Sequence, residues 1–209
     1  MRGKKAKKMR AENARLEKAV LAGLTAWWDG QKEQYEYSAC ILTARVASDV
    51  LTHFKVPHRV VAVKSNAMNQ QRYERVMNLA DSDDGITFLD GEYCVGANDG
   101  EVSERGFGGH VVVITSGDTL VDLSNYQFDR PEHNIVTGDN VRTLKMNGAF
   151  HSFVNGKELT IQLEQGHLFY WATDVISYRD APDWRVSYRM SKEAIEYVGK
   201  SLIPQGANA

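Results

Sequence analysis

Apolar residues recur at helical spacing after Cys40: Ala44, Ala47, Val50, Leu51 and Phe54 fall on one face. The pattern predicts an amphipathic helix opening at Cys40 and ending at Lys55-Val56-Pro57, because a proline disfavours helix at the residue before it. Arg59-Val60-Val61-Ala62-Val63 is apolar and β-branched and predicts a buried strand. Upstream, Leu16, Val20, Leu24 and Trp27 share a face of a helix from Ala11 to about Trp28, closed by Asp29-Gly30. Residues 31–38 are polar and aromatic and lead into Cys40.

Downstream, Asn66 to about Asp81 reads as a weakly amphipathic helix, residues 81–85 as a turn or exposed loop, and Ile86 to Leu89 as a short strand or an extended segment. Gly91 to Gly109 mixes glycine with polar residues and predicts a long functional loop. His110 to Thr115 and Thr119 to Leu123, joined by Ser116-Gly117-Asp118, predict a hairpin. Tyr126 to Asn140 is irregular. Ala149 to Val154 and Glu158 to Leu163 predict a second hairpin on Asn155-Gly156. His167 to Ala172 and Val186 to Tyr188 predict further strands, and Ser191 an N-cap for a last helix to about Leu202. Helices early and antiparallel hairpins later predict an α+β fold, with N-terminal helices packed on an antiparallel sheet. The organisation predicted is a basic flexible arm at 1–10, a single domain at 11–203 and a loose tail at 204–209.

Composition narrows the function classes. With 209 residues, 43% hydrophobic and 25% charged, the chain suits one soluble domain. A net charge of -2 gives no general reason to expect nucleic acid or an anionic membrane, leaving only the basic first ten residues as a route to nucleic acid. Two cysteines, Cys40 and Cys94, do not make a disulfide scaffold, and a reducing, cytoplasmic setting is expected. Met1-Arg2-Gly3-Lys4-Lys5 has no apolar run behind it, as a secretory signal would, and no run approaches the ~18 apolar residues of a membrane span. Close ligand pairs such as Cys-x-x-Cys are absent, so no metal and no cofactor is expected. Gly106-Phe107-Gly108-Gly109 precedes a strand instead of opening a helix, which argues against a phosphate loop. It would let a substrate backbone come close to His110, making Phe107, Gly108 and Gly109 cleft candidates.

The candidate chemistry rests on Cys40, His110 and Asp122. A helix start offers unpaired N–H groups and the positive dipole end, which favour an anion. A free thiol has a pKa of ~8.5, and such a site can lower it by several units. Thiol catalysis also needs a base within reach and a third group to orient it. One hairpin can supply both, since diagonal neighbours on one face lie roughly 7–8 Å apart. Parity decides this: a two-residue turn would put His110 and Asp122 on opposite faces, whereas a three-residue loop puts them on the same face. The odd-length loop, or a bulge with the same effect, is predicted.

Cys40 heading a helix, the run Val56-Pro57-His58-Arg59-Val60-Val61, a strand opening with His110, and Val121-Asp122-Leu123-Ser124 resemble the transglutaminase-like superfamily, which shares a papain-like Cys-His-Asp site. The resemblance covers about Tyr37 to Asn125. It implies a papain-like core, a Cys40 thiolate nucleophile, His110 as general base and acid, and Asp122 orienting the imidazole. Val111 stands where the family often has an aromatic residue, and the stretch from Cys40 to His110 is longer than in many members. Gln34, six residues before Cys40, is spaced like the oxyanion glutamine of papain-like proteases, with Tyr35 and Tyr37 as rivals and further cleft candidates. The function expected is acyl transfer from an amide, ester or thioester substrate, to water or to an amine. The alternatives are an inert binding or assembly module on the same fold, and a nucleic-acid-associated protein using its basic start.

Overall fold

Strand β1, His58–Asn69, is the spine on which the sheet is assembled. The structure is a computed structural model that describes residues 2–35, 39–79, 87–98, 100, 102–103, 106–186 and 188–203. Helices α1 (Arg2–Asp29) and α2 (Cys40–His53) precede β1, and α3 (Gln70–Asn78) follows it. The next strands are β2 (Cys94–Ala97), β3 (Val102–Ser103), β4 (Gly106–Phe107), β5 (His110–Thr115), β6 (Thr119–Val121) and β7 (Thr143–Lys145). The chain closes with α4 (Phe150–Val154), β8 (Leu159–Leu163), β9 (Gly166–Ala172), α5 (Pro182–Val186) and α6 (Tyr188–Leu202). Among the described residues, seven strands make one curled sheet, ordered β7-β6-β5-β1-β9-β8, with β2 also on β1. Every pairing is antiparallel. The α+β class is as expected.

Each face of the sheet covers its own core. Val111 and Val113 of β5 join Val20, Leu24, Trp28, Val46 and Val50 of α1 and α2. Val112 and Ile114 of the same strand join Phe128, Ile135, Phe153 and Ile161 on the other side. Strand β5 is thus buried on both faces, which is why its sequence is a continuous apolar run rather than an alternating one. Val56-Pro57 ends α2 as expected, with Lys55 in the left-handed region at φ 57°.

The basic stretch 1–10 is helical from Arg2 and continuous with α1, and the tail 204–209 lies outside the described residues. Several expectations need correction. Asn66 to Asn69 belongs to β1 instead of a helix, because backbone pairing with β2 and β9 outweighs a weak helical pattern. Residues 87–89 are not a strand; Phe88 lies under the Arg72 guanidinium at 4.3 Å, and Ile86 is outside the described residues. The segment 91–109 holds β2, β3 and β4 rather than one long loop. Phe150–Val154 is a helix, so Asn155-Gly156 caps it and the hairpin forms between β8 and β9 instead. Gly156 at φ 83° serves the helix C-cap as readily as a hairpin turn. Tyr188 begins α6, so Ser191 is inside it, donating to Asp49 at 2.7 Å, and no strand forms at Val186.

The β5–β6 hairpin is clamped from outside. Buried Glu17 of α1 accepts from Thr115 Oγ1 at 2.9 Å and Thr119 Oγ1 at 2.8 Å, and Lys145 Nζ lies 3.4 Å away. A side chain at Gly117 would run into the Glu17 carboxylate. Hydrogen bonds to a charged group are each worth about 1.5–3 kcal/mol. Glu17→Ala is expected to lower unfolding stability by about 3–6 kcal/mol, read from the urea midpoint, because both hydroxyls lose their acceptor.

Candidate active site

The loop joining β5 to β6 holds three residues, Ser116 to Asp118, with Val113 opposite Val121 and Ile114 opposite Leu120. Continuing that register puts Asp122 opposite Val112, one diagonal from His110 on the same face. This is the parity expected. His110 Nε2 lies 2.8 Å from Asp122 Oδ2, and both side chains are buried. Asp122 receives three further donors. Tyr170 Oη–H donates to Oδ2 at 2.6 Å. Ser124 donates to Oδ1 from its backbone N–H at 3.1 Å and its hydroxyl at 3.0 Å. The His110 ring stacks on Tyr170, centroids 6.0 Å apart, and meets Phe128 edge-on at 5.0 Å.

Electrostatics follow from this geometry. Burial works against a charged imidazole, but the charge and hydrogen bond of Asp122, together with a hydrogen bond and charge from Cys40, raise His110 to about 10. Burial likewise works against the Asp122 carboxylate, and His110, Tyr170 and Ser124 overcome it, so its pKa is lowered. Tyr170 is raised well above the ordinary phenol, by burial first and then by Asp122, so it stays a donor. Because Asp122 is ionised, Nε2 must carry the proton in this pair.

Cys40 opens α2 as expected, with no side-chain cap at Ala39, so the first-turn N–H groups keep their free positive ends. Its thiol points to the Gly109 carbonyl at 3.9 Å and lies near enough to His110 to raise the imidazole's pKa. The approach is made at a strand end. Cys40 belongs to the core on the α2 face, while His110 projects from the other face with Val112. They meet because β5 starts at His110. Cys40 is 6% exposed and His110 1%.

The remaining candidates divide. Gly109 is buried beside the thiol, Phe107 packs edge-on against Tyr178 at 6.2 Å, and Gly108 is exposed. A side chain at 109 would collide with the Phe107 ring and the Gly100 backbone. Tyr35 is held near the site, its carbonyl accepting from Tyr126 Oη at 3.1 Å. Gln34 is exposed on a 3-10 turn, with no hydrogen bond to Cys40, His110 or Asp122, so nothing in the geometry supports it as the oxyanion donor. Tyr37 lies outside the described residues. Cys94 is distant in role: burial pushes its thiol up, away from reactivity.

Three polar partners escape a sequence reading. Tyr170 sits on β9, separated from Asp122 by 48 residues, with no local motif to mark it. Ser124 follows the aspartate by two residues, the spacing at which a serine closes a turn on a carboxylate. Tyr126 is raised to about 12 by burial and then by the charges of Asp122 and Cys40, which places its phenol within their field. Among the described residues, no group of His, Cys, Asp and Glu could hold a metal ion. Comparison with protein-family models, curated proteins and solved structures finds no match for this chain.

The buried pair sets the pH dependence of folding. His110, at about 10 when folded against an ordinary 6.5, contributes stability that is complete below pH 6.5 and lost as pH rises through about 10. Asp122, lowered from 3.8, contributes stability present above 3.8 and lost as pH falls through its folded value. Urea midpoints measured across pH should fall on both limbs, and Asp122→Asn should flatten both. Tyr170→Phe should cost about 1.5–3 kcal/mol and move the acid limb to higher pH, since one donor to the carboxylate is gone.

Proposed function

We propose that the chain is a cysteine-dependent acyl-transfer enzyme with a transglutaminase-like, papain-like core and a Cys40-His110-Asp122 triad. The observation that carries the reading is a thiol at a helix start beside a buried, hydrogen-bonded imidazole–carboxylate pair whose carboxylate takes four donors. A buried carboxylate with this many donors is a device for holding an imidazole in one tautomer and one orientation.

The step runs as follows. The Cys40 sulfur, its proton on His110, attacks the carbonyl carbon of an amide, ester or thioester. The S–C bond forms as the carbonyl electron pair moves to oxygen, where the Cys40 backbone N–H is the natural donor. The carbonyl re-forms, the bond to the leaving group breaks, and the His110 imidazolium gives that group its proton. The thioester on Cys40 is then attacked by water or an amine, which loses a proton to His110; the carbonyl re-forms, the C–S bond breaks with its electron pair returning to the Cys40 sulfur, and the acid or amide is released. Asp122 stays ionised throughout. The substrate is an acyl- or amide-bearing small molecule or protein.

A second reading, an inert binding module on the same fold, is favoured by the small exposure of Cys40 and His110. Labelling discriminates the two. Iodoacetamide at about pH 6, below the ~8.5 of an ordinary thiol, should modify Cys40 far ahead of Cys94, and His110→Ala should slow it. With a reactive acyl ester, a mass increment on Cys40 that hydroxylamine removes should appear, and His110→Ala should lower its turnover about 10²–10⁴-fold. Slow and equal labelling of both cysteines would leave the inert module.

A further inference from the structure

Strand β1 is longer than its partners on either side. On one edge β5 covers His58 to Val63 and β2 covers Ser65 to Met68. On the other edge β9 covers Val63 to Asn69 and then departs. Its last bond to β1 runs from the Thr173 N–H to the Ala62 carbonyl, at 2.9 Å, with Thr173 Oγ1 on the same oxygen at 3.2 Å. Backbone groups alternate between the two edges of a strand. Ala62 addresses the β9 edge, so Val60 and His58 do too, and no strand among the described residues pairs with them there.

That edge forms one wall of a groove of about 700 Å³, whose far wall includes Thr173, Tyr178 and Trp184. The groove has the size of a ligand site, and its side chains sort by face. On the α2 face, Val60 packs toward the core with Trp184, and His58 is pinned. His58 Nδ1–H donates to the Val56 carbonyl at 2.9 Å, leaving Nε2 to accept from Ser48 Oγ at 2.9 Å. On the opposite face, exposed Arg59 lies over the Phe150 ring at 6.0 Å. Arg59 and Arg179 line the groove with Asp174 as the one carboxylate against them, and Ile176 stands 66% exposed at the rim.

We propose that the open edge of β1 from His58 to Val60 captures an extended segment of another protein as an added strand, one that alternates acidic with apolar residues. The backbone of the segment pairs with His58 and Val60, its apolar positions enter the α2 face, and its acidic positions meet Arg59. A second copy of this chain is the wrong partner. Two-fold antiparallel pairing of β1 with itself brings two Arg59 side chains onto one face, directly opposite or within a diagonal of roughly 7–8 Å, where like charges repel.

Fluorescein-labelled short peptides alternating Glu and Val, or Lys and Val, test this on the full chain by anisotropy, with amide hydrogen exchange read at Val60. The Glu/Val peptide is expected to bind saturably and to slow exchange at Val60. Lys/Val should bind about tenfold more weakly or worse, and Arg59→Glu should reverse the order. N-methylating the pairing amides of the peptide should remove binding. Absence of saturable Glu/Val binding up to the order of millimolar would overturn the proposal. So would unchanged binding after N-methylation, or a Val60 amide already protected in the free monomer. A concentration-dependent dimer that protects Val60 would overturn it in favour of self-pairing. None of these readouts depends on Cys40.

Discussion

Burying a carboxylate costs several kcal/mol even after the protein relaxes, unless charges and donors replace the lost water. Asp122 is buried with all of that replaced: an imidazole and a phenol on one oxygen, a backbone N–H and a hydroxyl on the other. The neighbours are fixed in turn. His110 must keep its Nε2 proton, Tyr170 must remain a phenol, and Ser124 must turn back on the aspartate. A site that needs one imidazole tautomer obtains it here from the solvation requirement of one buried charge.

The Tyr170 contact also constrains the whole sheet. Strands lie about 4.8 Å apart, so in a flat sheet β9 and β6, with β1 and β5 between them, would stand roughly 14 Å apart. A tyrosine and an aspartate cannot span that gap. Their 2.6 Å hydrogen bond therefore requires the sheet to curl toward the face that carries His110. Twist between neighbouring strands supplies the tendency to curl, and the core of Phe128, Ile135, Phe153 and Leu168 fills the concave side. Glu17 holds the hairpin from the outside through Thr115 and Thr119, so the strand that begins at His110 is anchored at its far end by α1.

What could be read in the residues follows a physical line. The α2 periodicity, the apolar run of β5 and the odd loop after Thr115 are local, and local patterns survive folding. The residues Cys40, His110 and Asp122 were legible because each sits at the start or end of such a pattern. Asn155-Gly156 misled because a left-handed residue suits a helix end as well as a hairpin. Asn66 to Asn69 misled because its strand depends on β2 and β9, distant in sequence. Tyr170 was illegible for the same reason: its role exists only once β9 lies beside β1 and the sheet has curled.

The meeting of thiol and imidazole depends on where pairing stops. Cys40 and His110 belong to opposite faces of the sheet, and an uninterrupted strand would keep its backbone between them. The interruption comes where the edge of β1 passes from β5 to β2, between Val63 and Ser65. There the chain before His110 is glycine: a side chain at 109 would strike Phe107 and Gly100, and the bare backbone lets the sulfur reach the Gly109 carbonyl. On its other edge β1 loses β9 beyond Ala62, which opens the groove beside Val60. Both features, the meeting of thiol and imidazole and the open edge, come from the same mismatch: a strand of twelve residues with no partner among the described residues long enough to match it.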